Sequence, residues 1–270
     1  MNVRELAARH GIRPTKSLGQ HFLLDPNLSR AIATDAGVEP GSKVVEVGAG
    51  LGSLTVALAA AGASEVLAIE FDRSLLPALE EVVSHWPSVR VVHADATKVA
   101  WSSMLGEGPW ILCANLPYNV GTSIVLDVLR GVPAVTRLVV MLQREVGERL
   151  VAGPLDDAYG AVSVRVAYHA RASLLRRVRP DVFWPRPAVG SVLVRLDRLP
   201  APPVGVDEAV LFRIVDGAFA QRRKTMRNAL RRLGILEPDP LLEAASIAPS
   251  ARPEELGLMD FARLAAMMPA

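Results

Sequence analysis

The 270-residue chain has one cysteine, Cys113. An internal disulfide and a cysteine-clustered metal site are therefore excluded, and the thiol reads as a small apolar residue inside a strand. The opening MNVRELAARH lacks the apolar centre of a signal peptide, so a cytoplasmic protein is expected. Long hydrophobic runs are also missing. One long stretch without a charge, VGAGLGSLTVALAAAGAS at 47–64, nears a membrane span in length. Its glycines cluster at one end, which suits a strand, a turn and a helix, so no membrane segment is expected. Net charge is low too, at +2. It is unevenly spread: residues 171–232 hold 14 Arg or Lys against 5 Asp or Glu, a local +9 that leaves −7 for the remainder. A concentrated basic segment points to a polyanionic partner. The other reading, a solvated surface made Arg-rich by coding preference, would raise arginine everywhere.

What is present is the composition of a soluble globular chain, 50% hydrophobic and 21% charged, long enough for one large core and a smaller unit. Short β-branched runs recur at 43–47 (KVVEV), 66–70 (VLAIE), 89–93 (VRVVH), 110–114 (WILCA) and 137–142 (RLVVML), with helical spacing at 53–61 and 74–84. That alternation predicts a parallel α/β sheet covered on both faces. Two further strands are expected at 162–169 (VSVRVAYH) and 190–196, as an antiparallel edge pair. The segment RLPAPPVGV, 198–206, is a linker because its prolines continue neither sheet nor helix. Helical patterning follows to the end, giving an expected division into residues 1–199 and 200–270. There is no internal repeat and no low-complexity tract.

Ligands of open α/β sheets bind at the carboxyl ends of the strands. The first end is EVGAGLG, with Gly48, Gly50 and Gly52 after Glu46; this G-x-G-x-G differs from the dinucleotide G-x-G-x-x-G. By itself it is either a nucleotide loop or a plain strand-to-helix turn. The second end, IEFD, places Glu70 where an acid accepts hydrogen bonds from ribose hydroxyls. The third, HADA, places Asp95 within reach of an adenine amino group, and the fourth is NLPYN at 115–119. Alone, NLPY is equally a proline turn capped by an aromatic. Together the four are far more specific than any one.

On these motifs the chain resembles the class I S-adenosylmethionine-dependent methyltransferases, and more closely the family of ribosomal RNA adenine dimethyltransferases. The likeness extends through KSLGQHFLLD (16–25), VVEVGAGLGSLT (44–55), NLPYN, QREVGERL (143–150), YGAVSV (159–164), FWPRPAVGSVLVRL (183–196) and QRRKTMRNAL (221–230). It implies a Rossmann-like, mostly parallel seven-stranded sheet with a small helical C-terminal domain, and S-adenosylmethionine as cofactor. It also implies cofactor contacts at His21, Leu23, Gly48, Gly50, Glu70, Asp95 and Asn115, and no metal.

The implied chemistry is dimethylation of two adjacent adenosines in the terminal hairpin loop of small-subunit rRNA, during assembly of that subunit. An adenine amine is a poor nucleophile, so the catalytic task is positioning. The Asn115 side-chain oxygen and the Leu116 carbonyl can each accept one N–H bond from it, with Pro117 holding Leu116 extended. Tyr118 would stack on the base, an interaction of about 1–3 kcal/mol, and Phe183 stands where the family places a second aromatic. Trp184 reads as a packed loop aromatic. Arg223, Arg227 and Arg231, with Lys224 nearby, are expected to form an RNA-binding stripe on one helix, backed by buried Met226, Leu230 and Leu233. A merely solvated basic face is the alternative. Ala188 and Gly190 depart from the Lys and Asp common in the family, which puts local polar contacts in doubt. A large-subunit rRNA methyltransferase, a non-catalytic nucleic-acid-binding factor on the same fold and a small-molecule methyltransferase are the competing readings. Nothing in the sequence demands more than a monomer.

Overall fold

The structure is a computed structural model that describes residues 2–15, 18–117 and 119–268. Its strands are β1 (Phe22–Leu23), β2 (Lys43–Val47), β3 (Glu65–Glu70), β4 (Val89–His93), β5 (Trp110–Asn115), β6 (Val135–Gln143), β7 (Ala170–Val178), β8 (Phe183–Trp184) and β9 (Ser191–Arg198). Seven of them form one sheet in the order β4-β3-β2-β5-β6-β9-β7. β4, β3, β2, β5 and β6 are mutually parallel, and β9 runs antiparallel to β6. β1 and β8 make a separate antiparallel pair, Phe22 opposite Trp184 and Leu23 opposite Phe183.

Successive residues of the central strands are buried on both faces, as at Leu112, Cys113 and Ala114 or Val139, Val140 and Met141. This is the burial that helices on both sides of a parallel sheet impose. Helices Ser53–Ala60, Leu76–Val83 and Gly121–Gly131 follow β2, β3 and β5. Burial also raises the Cys113 thiol well above its ordinary pKa, so it is inert packing.

The chain divides into two compact units, 1–147 with 173–198, and 148–172 with 199–270. The expected boundary near 199 is thus incomplete: residues 148–172 join the C-terminal helices. Within them, 161–169 is a helix and not the expected strand. Its alternating valines imitate a strand, but the Ser163 hydroxyl accepts a hydrogen bond from the Gly160 amide and donates one to the Arg149 carbonyl, closing the first turn. The neighbour of β9 at the sheet edge is instead β7, whose exposed Arg171 and Arg177 gave it no hydrophobic alternation. The second unit packs Leu211, Phe212, Met226, Leu230 and Phe261 into its core. Tyr159 donates its hydroxyl to the Leu256 carbonyl at 2.8 Å there.

The basic motif also folds differently from expectation. Gln221–Lys224 is a turn, with the Lys224 amide on the Gln221 carbonyl, and the helix begins only at Met226. Arg223 and Lys224 therefore precede the helix that carries Arg227 and Arg231, and no single stripe joins them. Met226 and Leu230 are buried and Leu233 half-buried, as the apolar side requires.

In the first unit, Arg198 at the end of β9 fastens the far end of the helix that follows NLPYN. Its guanidinium donates to the carbonyls of Val135 (2.7 Å), Leu129 (2.5 Å), Val128 (2.8 Å) and Val132 (2.9 Å). Leu129 is an orphan carbonyl of the helix C-terminus, Val128 and Val132 already accept the amides of Val132 and Val135, and Val135 opens β6; a cation there also meets the negative end of the helix dipole. Replacing Arg198 with Ala is expected to cost about 2 kcal/mol of stability in urea unfolding. Lysine should restore only part, because an ammonium cannot reproduce the planar fork.

Candidate active site

The glycine loop after β2 folds back on β3. The amides of Gly48 and Ala49 both donate to the Ile69 carbonyl, at 2.8 and 3.2 Å. Gly48 has φ +74°, a left-handed conformation that side chains disfavour. Gly50, with φ +58°, has a second reason to be glycine: a Cβ there would lie 3.1 Å from the Phe22 ring.

Glu70 ends β3 and is only 6% exposed. One carboxylate oxygen accepts from the Gly50 amide and the other from the Asp72 amide, each at 2.7 Å. Burial raises its pKa above the ordinary carboxylate value, and those backbone bonds oppose the rise. The Phe71 amide acts on the same carboxylate, whose remaining acceptor capacity is what a sugar hydroxyl needs. Asp95, beyond β4, accepts from the Thr97 hydroxyl at 2.7 Å and the Thr97 amide at 3.0 Å, and Lys98 stands 3.2 Å from its other oxygen. These bonds, the Thr97 hydroxyl first, hold its pKa below the usual range.

Asn115 is the last residue of β5, and its amide nitrogen donates to the His21 carbonyl at 2.9 Å. Leu116 buries its side chain and donates its amide to the Met141 carbonyl at 3.1 Å. The Pro117 carbonyl is already engaged by the amides of Val120 and Gly121. The Leu116 carbonyl has no hydrogen-bond partner among the described residues and is the acceptor left over at this end. Tyr118 lies outside the described residues.

A strap formed by residues 18–24 closes the site. Its Gln20 donates to the Asp72 carboxylate at 2.6 Å, and His21 Nδ1 lies 2.7 Å from the Pro185 carbonyl. The Ser53 hydroxyl donates to the Leu23 carbonyl, and the Leu24 amide to the Val182 carbonyl, both at 2.9 Å. Strap and strand ends enclose a cleft of about 300 Å³, lined by the strap together with Glu46, the glycine loop, Glu70, Asp95 and Asn115. Thus His21, Leu23, Gly48, Gly50, Glu70, Asp95 and Asn115 all meet on one cavity.

Three features were not assigned from sequence. Glu46 is buried against the Thr55 hydroxyl at 2.6 Å, and its pKa is pushed up to about 8, mainly by burial. Gln20 and Asp72 stand beside recognisable motif residues, but no local pattern marks them as partners. Phe183, the expected second aromatic, is 2% exposed, packs with Leu23, Val178 and Leu193, and is not among the residues lining this cleft. Alternate residues of a strand point to opposite faces, so β8 sends Phe183 into the core. Trp184 lies on the other face, its ring 6.0 Å from that of Phe22. Among the described residues, no group of three or more His, Cys, Asp or Glu is placed to hold a metal, and no helix is long and apolar enough to cross a membrane.

The family model for ribosomal RNA adenine dimethylase matches residues 12–267. A relative from Thermobifida fusca, "Ribosomal RNA small subunit methyltransferase A", is 45% identical over 99% of this chain and 95% of its own. The protein of the same name from Acidothermus cellulolyticus is 42% identical over 99% and 93%. Among solved structures, a dimethyladenosine transferase from Plasmodium falciparum superposes with TM-score 0.78 at 22% identity, covering 90% of this chain and 96% of its own. The 23S rRNA methyltransferase ErmE gives 0.71 at 24%, covering 91% and 98%. At those identities the two structures speak for the fold alone. The match across nearly the whole length agrees with the cluster of acids and amide at four strand ends: the chain belongs to the ribosomal RNA adenine dimethylase family.

Proposed function

We propose that the chain dimethylates the exocyclic amines of two adjacent adenosines in the terminal hairpin loop of small-subunit rRNA. It would act as a monomer, in the cytoplasm, on the assembling subunit. The observation that carries the chemistry is the Asn115 amide, tethered at the end of β5 on the same cleft as Glu70 and Asp95. The names of relatives 42–45% identical over nearly the whole chain support the address.

The residues present fit S-adenosylmethionine. Glu70 retains acceptor capacity for ribose hydroxyls, Asp95 for an adenine amino group, and the glycine loop admits close backbone approach. When bound, this cofactor would supply an electrophilic methyl group with a neutral thioether as its leaving group, and the proton shed by the methylated amine would pass to water. The protein's part is to shape the amine. The Asn115 oxygen and the Leu116 carbonyl accept its two N–H bonds, drawing the lone pair out of conjugation and along the line of transfer. With Phe183 in the core, base stacking falls to Tyr118. The target must lie in a loop or be flipped out of its stack to enter.

Phosphate contacts are assigned to exposed Arg223, Lys224 and Arg231. Arg227 is engaged 2.7 Å from Asp239 and would contribute less.

Unmethylated small subunits incubated with methyl-labelled S-adenosylmethionine should yield dimethyladenosine at neighbouring positions. Label only in protein-free large-subunit rRNA would move the chain to that branch, and cofactor binding with no RNA label would point to another substrate. Asn115→Ala should slow transfer by about 100-fold or more, the usual cost of a lost transition-state hydrogen bond, with cofactor binding retained. Glu70→Gln places an amide donor against a backbone N–H, so calorimetry should show cofactor affinity at least about tenfold weaker. Unchanged affinity would remove Glu70 from the site. Arg223→Glu with Lys224→Glu should weaken RNA binding and make log affinity against log salt shallower by about one for each phosphate no longer neutralised. An unchanged slope would place the phosphate-binding side chains elsewhere.

A further inference from the structure

We infer that the main-chain carbonyl of His21 sets the orientation of the Asn115 amide, so that the N-terminal strap is a positioning element for methyl transfer and position 115 must be an amide rather than an acid. This rests on the role given to Asn115 in the proposed function.

A carbonyl oxygen only accepts hydrogen bonds. With the His21 oxygen 2.9 Å away, the amide must turn its nitrogen toward the strap. Its oxygen then faces away, into the cleft that Asn115 lines. The two ends of an amide are nearly the same size, so without this partner a half-turn would cost little. The reversed amide would set a donor against the N–H that the Asn115 oxygen is there to accept.

The carbonyl is itself restrained. Pro185 offers only an acceptor, so His21 Nδ1 carries the proton of their 2.7 Å bond. On the following residues, Phe22 and Leu23 pair with β8; on the preceding one, Gln20 is tied to Asp72. The segment bearing Pro185 therefore helps to hold His21, and through it the reacting end of Asn115.

Asn115→Asp tests the idea by its pH profile. As a carboxylate, Asp sets an acceptor against the His21 carbonyl. Protonated, it donates there and leaves its other oxygen to accept. The titratable groups around the position are the His21 ring on the strap, Glu46 within β2's buried run, Glu70 and Asp72 at and beyond the end of β3, and Asp95 with Lys98 beyond β4. Wild type shares all of them, so the ratio of variant to wild-type rate isolates residue 115. From about pH 8.5 to 5.5 that ratio should rise by close to tenfold per unit, from about one-thousandth towards, and never above, one. A flat ratio, at any level, overturns the inference.

A second readout does not need turnover. In the wild-type protein, the Asn115 side-chain amide protons should exchange with solvent at least tenfold more slowly in NMR than those of exposed asparagines. Exchange at the exposed rate overturns the inference. An inactive wild type with a protected Asn115 amide would instead overturn the proposed function and uphold the orientation.

Discussion

Two residue pairs between β1 and β8 hold the site together. Phe22 opposite Trp184 and Leu23 opposite Phe183 bring a segment near the amino terminus against one from the end of the sheet. Two-stranded ribbons are marginal in isolation, and this one is supported by its side chains. Phe183 and Leu23 face the core, Phe22 abuts Gly50, and His21 meets the Pro185 carbonyl. From that ribbon the strap reaches the ends of β2, β3 and β5. Glycine at 50, burial at 183 and the amide at 115 are thus parts of one arrangement.

The cleft is electrostatically one-sided. Glu46 and Glu70 are both buried, and the charge of Glu70 adds a little to the upward shift that burial gives Glu46. Two buried acids with raised pKa values form a seat that a hydroxyl-bearing, positively charged ligand would compensate. Backbone amides already hold Glu70 in place, so little of its rotamer freedom remains to be lost when a ligand arrives.

Much of this was legible along the chain because each parallel strand ends in a turn that needs distinctive residues. The central strands matched their apolar runs, and the residues at the ends of β2 to β5 named groups that line the cleft, in order. What escaped was mostly nonlocal or two-faced. Gln20 and Asp72 are 52 positions apart, and His21 and Pro185 are 164 apart, with no periodicity to connect them. Phe183 carried the family's motif, yet strand alternation turned its ring inward. The valines at 162, 164 and 166 kept a strand's rhythm while tertiary packing and the Ser163 hydroxyl made a helix. A four-residue spacing of arginines imitates a helical face, but the turn at 221–224 interrupts it.

Chain ends are commonly where trimming and fusion do least harm. Here the segment from Leu18 to Leu23 is a wall of the cleft, and it is held by main-chain carbonyls as much as by side chains. No conservative substitution replaces such a wall. A protease cut or a shortened start that freed this segment would leave the main sheet nearly intact while opening the cleft to water. Such a protein would still fold by every bulk measure and yet be without the partner that aims Asn115.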